Sequence, residues 1–232
     1  VGSDIDGYVM TLVLPQNADY DFFVNGRRYA FTTDEAFDGC RYPQTGVFVD
    51  GTDAAIGSGE GWMYDWSRST LTIYGTERRH VLSGSNAFGE VRVLQDTGTT
   101  VVLSNLTLAV VLTNGEETCV SPYAVTNGSA RLLLAGNNRL LVDRRIDAAG
   151  LLVPTGSSLT ISNLTRSAIL RTNGYWNGAG IGGDAEHALG EVAIEGGQIE
   201  VECHGDGAGI GGGASVGRVS SSGDGRVRIS GG

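Results

Sequence analysis

Short segments in which apolar and polar residues alternate recur along the chain, and each of them closes on Gly or Asn. Alternation with a period of two is typical of β-strands, and Gly or Asn is typical of the turn that follows a strand. Six such segments occupy residues 71–75, 101–105, 132–136, 159–163, 192–196 and 227–231. Their closing residues are separated by 30, 31, 27, 33 and 35 positions. A fixed spacing of this size predicts a repeat architecture built from strands.

A second series with the same spacing strengthens this interpretation. Gly150, Gly180 and Gly209 each lie between Ala and Leu or Ile, at steps of 30 and 29 residues. About thirty residues accommodate three strands and three turns, which is one coil of a parallel β-helix whose equivalent residues stack about 4.8 Å apart. The sequence therefore predicts an all-β, right-handed parallel β-helix, the hand following the general preference of parallel crossovers. We expect Leu103, Leu134 and Ile161 to be vertical neighbours.

Composition divides the chain into two regions. Of the 17 aromatic residues, 13 lie in the first 74 positions, whereas 19 of the 37 Gly lie after position 170. Residues 1–60 are predicted to form an aromatic-rich β cap or entry unit that includes a hairpin around Asn25-Gly26. Residues 61–232 are predicted to form the coils. Because the last segment stops within a repeat, we expect further coils beyond residue 232 or a second subunit at that end.

Charge and residue usage exclude several classes of function. The chain has 16 basic residues, all of them Arg, against 26 Asp and Glu, which gives a formal net charge of −10. An acidic chain disfavours nucleic acid as a partner, and the absence of Lys excludes Schiff-base and P-loop chemistry. Cys40, Cys119 and Cys203 lie far apart, so one internal disulfide is possible at most and its pairing is open. The chain contains no apolar run long enough to predict a segment that spans a membrane.

The glycine-rich segments resemble a known group of repeat proteins. GAGIGG at 178–183 and GAGIGGG at 207–213, with VAIEGG at 192–197 and VRISGG at 227–232, resemble the "GAGIGGG … ITISGG" repeats of large secreted or surface-anchored proteins. Residues 61–73 resemble the "GWxYD … TLTL" entry before such repeats. The modules of these proteins are often labelled carbohydrate-binding or adhesin-like and are related to polysaccharide-lyase-like β-helices. The resemblance covers residues 60–232 and implies an extracellular or cell-surface location with a polysaccharide or surface glycan as partner.

The same glycine-rich segments match the dinucleotide fingerprint GxGxxG. That fingerprint requires a helix after the glycines. The repeat period explains both matches without a cofactor, and we predict none.

Two groups of aromatic residues are candidate sugar-stacking platforms. Trp62, Tyr64 and Trp66 alternate, so a strand would place all three on one face. That face would either stack on sugar rings or plug the end of the β-helix. Tyr175 and Trp176 form the second candidate platform, in an apparent loop beside a glycine-rich turn.

One column of Asx residues is a candidate metal site. Asp147, Asn177 and Asp206 each precede the Ala-Gly-Leu or Ala-Gly-Ile unit by two positions and should therefore align. Their oxygens would either bind Ca²⁺ between coils or form a ladder of hydrogen-bonded turns.

Three sequons are candidate N-glycosylation sites, at Asn105, Asn127 and Asn163. Asn105 and Asn163 occupy closing positions where Gly stands in other repeats, so both also suit left-handed turns.

Carboxylates concentrate in the glycine-rich region, at Asp184, Glu191, Glu195, Glu200 and Glu202. They indicate a solvated face or, less directly, a hydrolase or lyase site. Taken together, the sequence predicts a non-catalytic extracellular module for glycan recognition or adhesion. One alternative is a structural block of an extracellular stalk or filament, assembled by contacts between β-helices. The other is a polysaccharide lyase-like enzyme.

Overall fold

The computed structural model of the protein describes residues 2–4, 7–9, 18–24, 27–33, 45–75, 78–86, 91–110, 120–126, 128–143, 146–185, 187–214 and 225–230. Within these residues the structure is all-β and holds no α-helix; one 3-10 turn covers Ala54–Ile56. The chain forms two compact units, residues 1–44 and residues 45–232.

The first unit contains two antiparallel hairpins. Their strands are β1 (Gly2–Asp4), β2 (Gly7–Val9), β3 (Ala18–Val24) and β4 (Arg27–Thr33). Strand β1 pairs with β2, and β3 pairs with β4. The register places Val24 opposite Arg27, which confirms the hairpin that Asn25-Gly26 predicts.

The second unit begins with four short strands that close the first coil. They are β5 (Val47–Val49), β6 (Thr52–Asp53), β7 (Ser58–Gly59) and β8 (Trp62–Asp65). All four strands pair antiparallel. Strand β5 pairs with β6 and with the coil strand at residues 79–85, and β8 pairs with β7 and with the coil strand at residues 70–73. Because these strands bond to the coils, the structure divides the chain after Gln44, whereas composition predicts a boundary after residue 60.

The rest of the second unit is a parallel β-helix with three walls. Wall 1 consists of β9 (Thr70–Ile73), β11 (Arg92–Gln95), β13 (Tyr123–Val125), β16 (Leu151–Leu152), β19 (Ile181–Gly182) and β22 (Ile210–Gly211). Wall 2 consists of the first parts of β10 (Arg79–Ser85) and β12 (Thr100–Val110), with β14 (Gly128–Ala135), β17 (Ser157–Asn163), β20 (Glu191–Ile194) and β23 (Arg226–Ile229). Wall 3 consists of the second parts of β10 and β12, with β15 (Asn137–Val142), β18 (Ile169–Trp176) and β21 (Gln198–Gly205).

The stacking of these walls confirms the predicted architecture. One column of wall 1 runs through Leu71, Val93, Tyr123, Leu151, Ile181 and Ile210, at intervals of 22, 30, 28, 30 and 29 residues. The Ala-Gly-Leu and Ala-Gly-Ile units therefore stack as expected. The hand of the coils stays a prediction.

Two of the predicted alignments are wrong. Segment 71–75 lies in wall 1, whereas the other five alternating segments lie in wall 2, because the first coil is about one strand shorter than the later ones. Leu103 does pair with Leu134, but Ile161 pairs with Leu132 instead of Leu134. A shift of two residues leaves the same side chains facing inward, since strands alternate with a period of two.

Aliphatic columns fill the interior, and they end at an open edge. In wall 2, Val101, Leu132 and Ile161 are fully buried and Ile194 is 4% exposed, whereas Ile229 in the last strand is 65% exposed. Burial requires a coil on both sides, and in the described residues β23 has a partner only in β20. The two ends of the β-helix therefore differ: antiparallel strands cover the first, and the last presents apolar side chains.

Candidate functional site

The outer face of wall 3 carries charged and amide side chains from three successive coils. Alternation along β15, β18 and β21 directs every second residue outward. Pairing between the coils then aligns the outward residues in columns. One column is Arg139, Arg171 and Glu200, and the next contains Asn173 and Glu202. Three successive coils therefore contribute to one surface.

These columns border a groove of about 340 Å³, which we call the wall-3 groove. Its lining residues are Arg139, Leu141, Arg171, Thr172, Asn173, Glu200 and Glu202. The volume lies at the lower end of the range for small-molecule sites, roughly 300–1,000 Å³. The lining combines an aliphatic side chain with cationic, amide and carboxylate groups, which suits a polar ligand that also has apolar faces.

Hydrogen bonds orient most of the polar groups in the groove. Arg171 donates from Nε and Nη2 to the two carboxylate oxygens of Glu200, at 2.5 and 3.2 Å. The Asn173 side chain binds the backbone of Val142, accepting from its N–H and donating to its carbonyl. The imidazole of His204 lies 3.1 Å from a Glu202 oxygen. These contacts hold the groups in place without burying them.

Trp176 ends β18, three residues beyond the groove residue Asn173, in an unusual backbone conformation. Its φ is +53°, and its side chain is 51% exposed. Alternation along β18 would make Trp176 the next inward residue after Gly174. The left-handed backbone interrupts that alternation, and the indole is left at the surface. Such a conformation is unfavourable for a residue with a Cβ and clusters at functional sites.

The following coil is adapted to Trp176. Gly205 pairs with Trp176, and a Cβ on Gly205 would lie only 2.0 Å from the Trp176 carbonyl oxygen. The same oxygen accepts a 2.7 Å hydrogen bond from the backbone N–H of Asp206. Glycine at 205 therefore permits the close approach that keeps Trp176 in position.

The predicted platform residue Tyr175 is half-buried and stacks on His204. The two ring centroids are 4.8 Å apart, with an interplanar angle of 30°. Because Tyr175 faces outward on β18, this stacked pair continues the row of Asn173 and Glu202 along the strands. Tyr175 and Trp176 thus follow the lining residue Asn173 by two and three positions on β18, and neither of them lines the groove.

The other predicted platform is in the core. Trp62 and Tyr64 are 4% and 6% exposed and face the interior from β8. Trp66 lies beyond the end of β8, is partly buried, and meets Tyr64 edge to face with ring centroids 4.9 Å apart. A sugar cannot stack on a buried ring, so Trp62 and Tyr64 are unsuited to the predicted sugar-binding role. Their position supports the alternative prediction, that they plug the β-helix end.

The predicted Asx column forms a ladder of hydrogen bonds across two coils. Asp147 accepts from the backbone N–H and the side-chain Nδ2 of Asn177, at 3.0 and 2.9 Å. Asp206 is exposed and bonds through its backbone to the Trp176 carbonyl. Calcium binding would require the Asn177 side-chain oxygen to point toward Asp147 in place of Nδ2. The arrangement supports the turn-ladder interpretation, and Ca²⁺ binding stays a prediction.

The predicted glycosylation sites differ in conformation. Asn105 is exposed with a φ of +54°, and its Oδ1 accepts from the backbone N–H of Asn137, so the predicted left-handed turn is confirmed there. Asn163 is also exposed, but its φ is not in the left-handed region, and its Nδ2 donates to the Thr165 carbonyl. Asn127 lies outside the described residues. Glycosylation at these sites stays a prediction.

The cysteines leave the predicted disulfide open. Cys203 is a free, partly buried thiol whose Sγ lies 3.5 Å from the Gly178 carbonyl oxygen. Cys40 and Cys119 lie outside the described residues.

The structure also contains buried polar residues that sequence patterns did not single out. His80 is fully buried, and its Nδ1 lies 2.8 Å from an Asp50 oxygen. Asn138 is fully buried, accepts from the Leu106 N–H and donates to the Ala135 carbonyl. The signal for Asn138 was available, since it is a polar residue at an inward position of an alternating strand. The pairing of His80 with Asp50 depends on antiparallel contacts between segments thirty residues apart, and no local pattern predicts it.

A buried tyrosine lies on wall 1. The hydroxyl of Tyr123 donates to Oε1 of Gln95 at 2.9 Å. Burial raises the pKa of Tyr123 well above its usual value.

In the ranges given above, no group of three or more His, Cys, Asp or Glu is placed to hold a metal ion. No helix in the described part of the chain is long and apolar enough to span a membrane. Comparison of the chain with models of protein families, with curated proteins and with solved structures gave no match.

Proposed function

We propose that this protein is a non-catalytic extracellular module that binds glycans on the outer face of wall 3. The observation that carries the proposal is Trp176, a half-exposed indole held in a left-handed backbone on β18, the strand that also contributes Arg171 and Asn173 to the polar groove. Isolated exposed apolar residues are common on protein surfaces. An exposed Trp kept in an unfavourable conformation is not, and it indicates selection for a role at the surface.

The chemistry of the groove suits a sugar. The apolar face of a pyranose stacks on aromatic rings, which Trp176 and the Tyr175–His204 pair supply. Sugar hydroxyls donate hydrogen bonds to carboxylates and accept them from guanidinium groups, which Glu202 and Arg139 supply. The strands of wall 3 therefore offer both kinds of contact within three coils.

The architecture also favours binding without rearrangement. The three strands of the groove pair with one another through parallel ladders, for example all eight residues of β18 with β21. A surface built on paired strands loses little conformational entropy on binding, so even weak polar contacts contribute to affinity.

A glycan array followed by calorimetry tests the proposal. The wild-type protein is expected to give saturable binding to at least one glycan, and Trp176→Ala is expected to weaken it about tenfold or more, as removal of an aromatic platform does. Leu164→Ala is the matched control, because Leu164 is 48% exposed on the same coil outside the groove. The proposal is wrong if no glycan binds, or if both variants bind like the wild type.

A second candidate function is self-association through the open end, as in a structural building block. Val227 and Ile229 are 39% and 65% exposed at the last strand of wall 2, and exposed strand edges promote pairing with another chain. Sedimentation velocity of the wild type, Ile229→Arg and the control Ile56→Arg tests this. Ile56 is 52% exposed near the closed end. A concentration-dependent dimer that Ile229→Arg alone abolishes supports the candidate, and a wild-type monomer at all concentrations refutes it.

A further inference from the structure

We infer that the wall-3 groove selects sugars that carry an anionic group, and that Arg139 binds that group. The inference rests on the proposed glycan-binding function and adds the chemical class of the ligand. It follows from how the charges of the groove are distributed over successive coils.

Two arginines lie on adjacent coils of the groove. Arg139 pairs with Arg171 in the register of β15 and β18, so their backbones are about 4.8 Å apart. Like charges directly opposite each other on paired strands repel. Because Glu200 balances the charge of Arg171, the positive charge of this column that is left to attract an anion is that of Arg139.

Only one of the two arginines has a carboxylate partner within the described residues. Arg171 forms a two-pronged ion pair with Glu200, the next residue of the column. Among the ranges that the structure describes, the ion pairs of arginine involve Arg68, Arg78, Arg131 and Arg171. Arg139 is exposed at the rim of the groove. Its five N–H donors therefore remain available for a carboxylate or sulfate, which a guanidinium binds in a fork geometry.

The carboxylates determine where the anion binds. Glu202 is 74% exposed and lies on the last coil of the groove, two coils away from Arg139. An anionic group is repelled from Glu202 and attracted to Arg139, whereas sugar hydroxyls suit Glu202. The charge of the groove therefore changes along the stacking axis, from positive on β15 to negative on β21. A ligand with a charged group at one end and hydroxyls at the other matches this order.

The net negative charge of the protein means that a preference for anionic sugars would require a local cationic site. With a formal net charge of −10, the protein as a whole repels polyanions, so non-specific attraction does not produce a preference for acidic sugars. Any such preference has to come from a local site. It should therefore depend on Arg139 and leave other exposed arginines without effect.

The test is an array of neutral glycans, each printed beside its uronate and its sulfated counterpart on the same backbone. Hits are then measured by calorimetry with wild type, Arg139→Gln and Arg166→Gln. Arg166 is the matched control, because it is exposed in the turn between β17 and β18. We expect the wild type to bind the anionic member of a set about tenfold or more tightly than the neutral one, the size of one charge-assisted contact. Arg139→Gln should remove that preference by weakening the binding of the anionic member far more than that of the neutral member, whereas Arg166→Gln should weaken neither.

The outcomes distinguish a failure of the anion preference from a failure of glycan binding itself. Equal binding of neutral and anionic glycans overturns the inference and leaves the proposed function standing. Absence of any binding overturns both. A preference for anionic glycans that Arg139→Gln leaves intact overturns the assignment to Arg139. A preference for only the uronate or only the sulfated member identifies which anion the groove takes.

Discussion

Trp176 offers a direct test of the claim that its backbone conformation is unfavourable and is retained for binding. The two substitutions Trp176→Ala and Trp176→Gly both remove the indole, and they differ only in whether a Cβ remains. At a position with φ of +53° Gly adopts the conformation freely, whereas Ala retains the steric cost. The difference in stability between the two variants therefore isolates the backbone contribution from the loss of the ring.

The expected magnitude follows from the conformation. Trp176→Gly should be more stable than Trp176→Ala by about 1 kcal/mol in free energy of unfolding, the usual effect of a Cβ at positive φ. At the exposed strand position Arg131, whose φ is not left-handed, the order should reverse, with Gly less stable than Ala by about 0.5–1 kcal/mol. Urea denaturation followed by circular dichroism measures both differences, which correspond to about 2–4 °C in Tm per kcal/mol for a chain of this size.

The result that refutes this reasoning is the same order of stability at both positions. If Ala is the more stable variant at 176 as well as at 131, the left-handed backbone carries no cost there. The inference from strain to function would then lose its basis. If instead Trp176→Gly is the more stable variant but binds no glycan, the protein retains an unfavourable residue because binding requires it.

Three further predictions test the coils themselves. Gly180→Ala should lower the free energy of unfolding by about 1–3 kcal/mol, because the new Cβ would lie 2.1 Å from Val201 Cγ1. Gly209→Ala should change it by less than about 0.5 kcal/mol, because no atom lies within 4 Å of the new Cβ. Equal losses of the two variants in urea denaturation would contradict the statement that the space around Gly209 is open. Asn138→Ala should cost about 1–3 kcal/mol in the same assay, since it leaves the buried Leu106 N–H without an acceptor, and a neutral effect would show that water replaces the side chain. The raised pKa of Tyr123 means that the unfolded state ionises first, so stability should fall above about pH 10; Tyr123→Phe should show a shallower fall in denaturation at increasing pH, and an unchanged slope would contradict this.

The described edges of the β-helix differ at its two ends. Strands β5 and β8 pair antiparallel onto the first coil, and their own edge partners β6 and β7 are only two residues long. Short edge strands disfavour further pairing. At the other end, the described edge strands are the eight-residue β21 and β23, in which two Arg alternate with Val227 and Ile229.

Local patterns in the sequence determined the architecture. Period-two alternation specifies strands, and a spacing near thirty residues stacks equivalent positions, so the coils and the Ala-Gly-Ile column follow without knowledge of any contact. The same patterns placed Asp147 next to Asn177 and Tyr175 next to Trp176. These successes share one physical reason, since they depend only on residues that are close in sequence or one period apart.

Only the tertiary structure decided which candidate side chains are available at the surface. Trp62 and Trp176 look alike in the sequence, yet antiparallel pairing of β8 buries Trp62 and a left-handed backbone exposes Trp176. The wall-3 groove likewise requires Arg139, Arg171 and Glu202 to come from three coils in a particular register. Coil lengths vary by several residues, so the spacing in the sequence does not determine which residues pair between coils. Registers that differ by two residues keep the same side chains facing inward, and the sequence pattern does not distinguish them. Hydrogen bonding and packing between coils select one of these registers, and with it the composition of the site.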